Sequence, residues 1–133
     1  MKVEVDYPPN YEAICAVFPE VRRMKGVVFT YGPIIFNPSG QEITPDLMHH
    51  EQTHTIQQGS DPALWWENYL KNPEFRLAQE LEAYQVQYNF ARQNWHRTHR
   101  KNLLFRIAKD LSGPMYGKMI SKQEALKLIK GEK

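Results

Sequence analysis

The alternation of hydrophobic and polar positions predicts strands only in the first third of the chain. Val3 and Val5 alternate with acidic residues, a pattern that predicts a short half-buried strand. Residues 27–37, VVFTYGPIIFN, are rich in β-branched and aromatic side chains and give the strongest strand signal. Because proline cannot donate to a β-ladder, Gly32-Pro33 makes this segment either a tight hairpin or a bent strand at a sheet edge.

From about residue 44 onward the pattern is helical. Thr44, Pro45 and Asp46 suit the N-cap, the first position and the first turn of a helix that should run to about Gly59. Other helices are predicted at residues 11–18, 61–70, 72 to about 95, 102–111, and from a capping box at 121–124 to just before 131. This order predicts an α+β fold, in which a small antiparallel or mixed N-terminal sheet packs on a helical bundle.

Length and composition limit the class of protein. The 133 residues, 41% hydrophobic and 24% charged, predict one globular domain over residues 1–133. The first residues do not resemble a signal peptide, and no stretch has the roughly 20 apolar residues of a membrane span, so we expect a cytoplasmic protein without membrane association. Cys15, the only cysteine, is expected to fill the core.

The candidate chemistry lies in the segment MHHEQTHTIQQG, which contains the pattern H-E-x-x-H. On a helix, His50 and His54 project side by side because positions four apart lie about 40° apart around the axis. This spacing lets both imidazoles bind one zinc ion, while Glu51 reaches a water on the metal. The alternative is that this helix face is solvated and its histidines bind no metal.

A catalytic zinc site needs a third protein ligand, and the helix of residues 72–95 offers Glu74, Glu80 and Glu82. Its main apolar stripe consists of Leu77, Leu81, Tyr84, Tyr88, Ala91 and Trp95. Glu80 lies at the margin of that stripe and should face inward, whereas Glu82 points about 200° away. A buried carboxylate is costly unless a cation neutralises it, which favours Glu80. Phe75, Val86 and Phe90 form a weaker second apolar face on this helix. The choice of Glu80 over Glu82 is therefore not decided by the pattern alone.

At these residues the sequence resembles the gluzincin clan of metallopeptidases. In that clan H-E-x-x-H on one helix is completed by a glutamate from a later helix, often within E-x-x-A-D or E-x-E-A-(D/N). Residues 80–84, ELEAY, match the second motif with Tyr84 in place of the acid. The segments HEQTHTIQQ, WWENYL and FRLAQELEAYQ are also similar to small predicted metallopeptidases of phages and bacterial mobile elements. The resemblance covers roughly residues 44–90 and implies one Zn²⁺ per chain on His50, His54 and Glu80.

The resemblance also implies an activity, the hydrolysis of peptide bonds in a protein or peptide substrate. Glu51 would be the general base toward a zinc-activated water. Candidates for stabilising the transition state are Tyr84, Tyr88 and His96. In zincins an edge strand upstream of the metal helix aligns extended substrate by strand addition. The residues in that place are Val27, Val28, Phe29, Thr30 and Tyr31.

Two other functions are compatible with the sequence. One is a metal-stabilised domain without catalysis that binds a phage or host partner. The other is nucleic-acid binding through residues 92–102, RQNWHRTHRKN, where basic and aromatic residues alternate. We favour it least, because the net charge is only +2 and a basic cluster is typical of a helix C-terminus. The sequence leaves the oligomeric state open.

Overall fold

The computed structural model of the protein describes residues 2–131 and has the predicted α+β class. Within these residues it contains three short strands and six α-helices: β1 Lys2–Glu4, α1 Tyr11–Val17, β2 Phe29–Tyr31, β3 Ile34–Phe36, α2 Pro45–Gln58, α3 Pro62–Lys71, α4 Pro73–Asn94, α5 Arg97–Leu111 and α6 Lys122–Ile129. Two 3₁₀ turns lie at Pro19–Arg23 and Pro114–Tyr116. No helix of this part of the chain is long and apolar enough to cross a membrane.

The three strands form a mixed sheet in the order β1-β3-β2. β2 and β3 pair antiparallel across a two-residue turn of Gly32 and Pro33, so the hairpin alternative is correct. β1 adds to the other side of β3 in parallel. The predicted burial of Val3 and Val5 is wrong: Val3 is 41% exposed and Val5, which lies beyond the end of β1, is 72% exposed, because neither side chain packs against an apolar cluster.

The helix starts follow the predicted capping signals in most cases. The side chains of Asp61 and Asn72 accept hydrogen bonds from backbone amides in the first turns of α3 and α4. Ser121 and Glu124 form the predicted capping box of α6. Thr44 occupies the N-cap position of α2 but makes no side-chain capping bond.

The start of α5 differs from the prediction. The helix begins at Arg97, five residues before the predicted residue 102, and α4 already ends at Asn94. The basic cluster therefore spans the junction of two helices, and Arg97, Arg100 and Lys101 lie at the start of α5. The prediction that these cations exploit a helix C-terminus is wrong for all three, since a helix N-terminus disfavours positive charge.

Two apolar clusters form the core. The first joins α4, α5, α6 and the second 3₁₀ turn, with Tyr88, Ala91, Leu103, Leu104, Ile107, Ala108, Leu111, Tyr116, Ala125 and Ile129. The second joins α1, the sheet and α3, with Ile14, Cys15, Phe18, Val21, Phe29, Phe36, Trp65, Trp66 and Tyr69. Met115 packs against both clusters, so the two are continuous through this side chain. The prediction that Cys15 fills the core is confirmed.

Helix α2 buries one face without contributing to either cluster. Its buried residues are all polar: Asp46, His50, Glu51, Thr53, His54 and Gln58. The helix packs mainly against α4, which presents buried Glu80 and Gln87 toward it. Because buried polar atoms need partners, the interface between α2 and α4 is where specific chemistry is expected.

Candidate metal centre

The structure brings three potential metal ligands together between α2 and α4. Nε2 of His50 and Nε2 of His54 each lie 3.0 Å from Oε1 of Glu80, and the two nitrogens lie 3.2 Å apart. All three residues are buried, and the cluster could hold a metal ion. Glu82, the alternative ligand, is exposed and accepts a hydrogen bond from Gln57 instead.

The triangle of ligand atoms fits a tetrahedral ion. Four ligands at 2.0–2.1 Å from a tetrahedral zinc ion are separated from one another by roughly 3.3 Å. The three observed separations, 3.0, 3.0 and 3.2 Å, are close to that spacing. The sequence predicted these three residues because H-E-x-x-H places both histidines on one helical face, and α4 supplies Glu80 from its inward side.

The partners of the other imidazole nitrogens define how each histidine is protonated. Nδ1 of His50 lies 2.9 Å from Oε1 of Gln87, whose amide nitrogen donates to Asp46 at 2.7 Å. Nδ1 of His54 lies 2.8 Å from Oε1 of Gln57. Because an amide oxygen can only accept, each Nδ1 carries a proton, and each Nε2 of a neutral ring has a free lone pair.

Gln57 is oriented in the same way as Gln87. Its amide nitrogen donates to the carbonyl of Gln79 and to Glu82, both at 2.9 Å, so its oxygen must face His54. Two imidazole lone pairs and a carboxylate oxygen therefore converge on one buried point. This arrangement is repulsive unless a proton or a cation lies between the three atoms.

The electrostatics of the metal-free cluster reflect this convergence. Burial by itself disfavours charge on His54, but the neighbouring Glu80 carboxylate outweighs it and raises the pKa of His54 to about 9. Burial would likewise raise the pKa of Glu80, but His54 and His50 hold it well below its usual value. A metal ion at this cluster would compete with a proton for the same lone pairs.

The second carboxylate oxygen of Glu80 also has a partner. The hydroxyl of Tyr69 donates to Oε2 at 2.5 Å. Burial, together with the negative charge of Glu80, raises the pKa of Tyr69 well above its usual value, so the hydroxyl stays a donor. Tyr69 is a core residue, and its hydroxyl also fixes the orientation of a candidate ligand.

Glu51 points toward the cluster without joining it. The hydroxyl of Thr30 donates to Oε1 of Glu51 at 2.9 Å, while Oε2 lies 3.8 Å from Nε2 of His50. Glu51 is 6% exposed and lines the same cavity as the three ligands. One carboxylate oxygen is therefore anchored to the sheet, and the other faces the place where a ligand of the metal would sit.

Of the three candidate transition-state stabilisers, the structure brings only Tyr84 to this cavity. The ring of Tyr84 packs edge-on against His50, with centroids 4.7 Å apart. Tyr88 instead belongs to the apolar cluster of α4, α5 and α6, and Arg92 covers its ring. His96 caps the start of α5, where its Nδ1 accepts from the amide of His99. Neither Tyr88 nor His96 lines the cavity.

The predicted edge strand is only partly available to a substrate. β2 lies at the edge of the sheet, but it covers Phe29–Tyr31, so Val27 and Val28 precede it as irregular chain. The carbonyl of Thr30 already accepts hydrogen bonds from Gln58 at 2.8 Å and from Trp66 at 3.0 Å. Strand addition at Thr30 would have to displace these bonds, whereas Val27 and Val28 line the cavity.

The cluster opens into a cavity of about 1160 Å³. Its lining is largely apolar and aromatic, and it extends from α1 and the first 3₁₀ turn to the C-terminal part of α5 and the second 3₁₀ turn. Tyr116 lines it near Tyr84, and the two hydroxyls interact. An apolar cavity with a few converging polar groups is the usual form of a small-molecule or peptide site.

Sequence reasoning missed the residues that orient the ligands. Asp46 lies four residues before His50, Gln57 three residues after His54, and Gln87 seven residues after Glu80. Each spacing places a polar side chain on the same helical face as a ligand. Polar residues at helical spacing from the motif were therefore the available signal.

Comparison with known proteins identifies no family for this chain. No family model, curated protein or solved structure matches the chain.

Proposed function

We propose that the protein is a zinc-dependent peptidase whose zinc ion is held by His50, His54 and Glu80. The observation that carries the proposal is that three candidate ligand atoms, 3.0–3.2 Å apart, share a cavity with Glu51, whose Oε2 lies 3.8 Å from Nε2 of His50 outside their triangle. Two histidines and a glutamate with a separate carboxylate form the donor set of zinc hydrolases rather than that of calcium or magnesium sites.

The number of ligands favours a catalytic ion over a structural one. Structural zinc is closed by four protein ligands, usually including cysteine, whereas a catalytic ion keeps one position open. Within residues 2–131 the cluster contains three ligands, and Cys15, the only cysteine, is buried among apolar side chains elsewhere. The cavity beside the cluster is where the open position would meet a substrate.

The chain itself supplies the proton transfer. A zinc ion bound at this site supplies a polarised water and a Lewis acid for the scissile carbonyl. Thr30 holds Oε1 of Glu51, which leaves Oε2 to accept a proton from the nucleophile and return it to the leaving amine. The hydroxyl of Tyr84 is placed in the same cavity, where it can donate to a developing oxyanion, because burial and the charge of Glu80 raise the pKa of Tyr84 well above its usual value.

The cavity favours a peptide as substrate. It is lined by residues of five helices, two 3₁₀ turns and strand β2, and its walls combine apolar side chains such as Phe18, Val28 and Met115 with polar groups. A peptide presents both apolar side chains and backbone carbonyls to such a surface. The irregular segment of Val27 and Val28 is the part of the predicted edge that remains open to extended chain.

The test is the substitution Glu51→Gln, assayed with zinc-loaded protein on a mixture of peptides by mass spectrometry. We expect the wild type to cleave, and turnover of Glu51→Gln to fall by about 10²- to 10⁴-fold with zinc retained, since the variant cannot accept the proton. Glu42→Gln, at an exposed glutamate outside the cavity, is the matched control and should cleave normally. Equal cleavage by wild type and Glu51→Gln would remove Glu51 from the reaction. Zinc binding without any cleavage would favour the non-catalytic interaction domain.

A further inference from the structure

Positive charge is concentrated in one uninterrupted stretch of the chain. Residues 83–109 contain six arginines and lysines and no acidic residue. The remaining eleven cations are outnumbered by all fifteen acids, so the rest of the chain carries a net charge of −4. The net charge of +2 for the whole protein therefore hides a strongly cationic segment, which weakens the argument from net charge against an anionic partner.

The structure places four of these cations at the junction of α4 and α5, with little to neutralise them. Arg92 lies in the last turn of α4, and Arg97, Arg100 and Lys101 lie in the first turns of α5. None of the four makes an ion pair within residues 2–131. The last three also oppose the dipole of α5, so helix stability does not account for them.

Two aromatic rings lie among these cations. The rings of Trp95 and His99 stack with centroids 3.8 Å apart and planes 3° from parallel. Trp95 is half-buried and packs edge-on against Phe90, while His99 is exposed. The pair is a fixed platform, with the imidazole as its outer layer. Stacking surfaces beside cations are how proteins bind single-stranded nucleic acid without sequence preference.

We propose that this basic surface, defined by Arg92, Trp95, Arg97, His99, Arg100 and Lys101, binds single-stranded nucleic acid. The cations would contact phosphates, and a base would stack on the ring of His99. An acidic peptide would use the charges but not the stacked rings, and a bilayer would require several exposed apolar side chains, whereas beside this surface Phe105 is exposed and lies against Lys101. The inference does not depend on the proposed peptidase activity, because none of the six residues belongs to the metal cluster.

The direct test is fluorescence anisotropy with a labelled oligothymidylate of about 15 nucleotides, titrated at several salt concentrations. If the four cations contact phosphates, log K should fall with log[salt] with a slope of about −2.8, or roughly 50-fold between 50 and 200 mM. Single strands should bind more tightly than a duplex of the same length, because only unpaired bases can stack on the ring.

Two matched sets of variants locate the contact. Arg97→Gln, Arg100→Gln and Lys101→Gln combined should weaken binding at least tenfold and reduce the salt slope by about 2. His99→Ala should weaken it about fivefold or more through lost stacking. The control combines Arg23→Gln, Lys71→Gln and Lys127→Gln, which remove the same charge from exposed sites outside the surface, and should bind nearly as the wild type does.

Three results would overturn the proposal. An equal loss of affinity in the control variant would mean that the oligonucleotide responds only to net charge. Binding to poly-glutamate or to phosphatidylserine vesicles as tight as to the oligonucleotide would assign the surface to another kind of partner. No binding at low salt would exclude nucleic acid. Far-UV circular dichroism of each variant ensures that lost affinity is not lost fold.

Discussion

Helix α4 packs through two opposite kinds of interface. Toward α5 and α6 it contributes Tyr88 and Ala91 to an apolar cluster, which is stable because it excludes water. Toward α2 it contributes Glu80 and Gln87, which contact His50, His54 and Asp46 through hydrogen bonds. The apolar interface needs no ligand to satisfy its side chains. The polar interface instead brings the acceptor atoms of His50, His54 and Glu80 together at one point.

The polar interface also shows where its stabilisation falls short. One carboxylate oxygen of Asp46 accepts from Gln87, but the other is buried and has no hydrogen-bond partner within residues 2–131. An unpaired buried acceptor costs about 1–3 kcal/mol. Under the proposed function the α2–α4 contact serves to bind an ion, whereas the contact of α4 with α5 and α6 serves stability, and the following changes test this difference.

The largest expected effect is that of removing the metal. An ion at roughly a thousand times its Kd contributes about 4 kcal/mol to stability. A chelator should therefore lower the Tm by roughly 10 °C or more for a domain of this size, and added zinc should restore it. Paired melting curves measured by circular dichroism check this. Identical curves with zinc and with chelator would mean that the polar interface needs no ion.

The apolar interface should respond to a cavity and not to metal. Leu111 is fully buried in the cluster of α4, α5 and α6, so Leu111→Ala should destabilise the protein by about 3 kcal/mol. The loss should be the same with zinc and with chelator, because the residue is outside the metal cluster. Denaturant titrations under both conditions measure it. A loss that depends strongly on metal would show that the two interfaces are coupled.

A smaller effect is expected at Gln87, which orients His50 without binding metal. Gln87→Leu removes the acceptor for Nδ1 of His50, so we expect metal affinity to fall by about 10- to 100-fold. Competition with a fluorescent chelator measures the change. Gln85→Leu, two residues away on the same helix, is the control, and its side chain bonds the carbonyl of Leu128 instead. Equal affinities of both variants would remove Gln87 from the ion site.

An effect of similar size is expected from a change of pH. The pKa of His54 in the metal-free fold is about 9, above the ordinary value of 6.5, so its stabilising pairing with Glu80 is complete below pH 6.5 and is lost as pH rises toward 9. The pKa of Glu80 is lowered below its ordinary value of 4.5, so its contribution is present throughout that interval. Zinc must displace a proton there, which costs up to about 1.4 kcal/mol per pH unit below pH 9.

The gain in Tm on adding zinc should therefore be larger at about pH 8.5 than at about pH 6.5. Melting curves with zinc and with chelator at both pH values provide the four measurements. A gain that shrinks as pH rises would contradict the assigned competition between proton and metal at His54.

The clustering of His50, His54 and Glu80 could be predicted because the direction of each side chain is set locally by its own helix. H-E-x-x-H fixes two imidazoles on one face of a helix whatever the rest of the chain does. Glu80 was separable from Glu82 because the two point in directions about 200° apart, and only one borders the apolar stripe. The interruption at Gly32-Pro33 was similarly local, but the sequence left a hairpin and a bent edge strand as alternatives, and the structure shows the hairpin.

The errors arose where tertiary context decides. Val3 is exposed because no apolar cluster covers its side of β1, which alternation alone cannot reveal. The start of α5 was missed because its N-cap is His96, a residue type that does not signal a cap. Gln57 and Gln87 were missed because the sequence does not distinguish a solvent-exposed glutamine from one in a buried hydrogen-bond network.

The most direct test of the metal centre is the metal content of the purified protein, measured by mass spectrometry after equilibration with zinc and removal of the excess. We predict about one zinc ion per chain for the wild type and for Glu82→Ala, and little zinc for His50→Ala, His54→Ala or Glu80→Ala, since each removes one of three ligands. A wild type without zinc, or zinc lost from Glu82→Ala and retained by Glu80→Ala, would contradict the assignment.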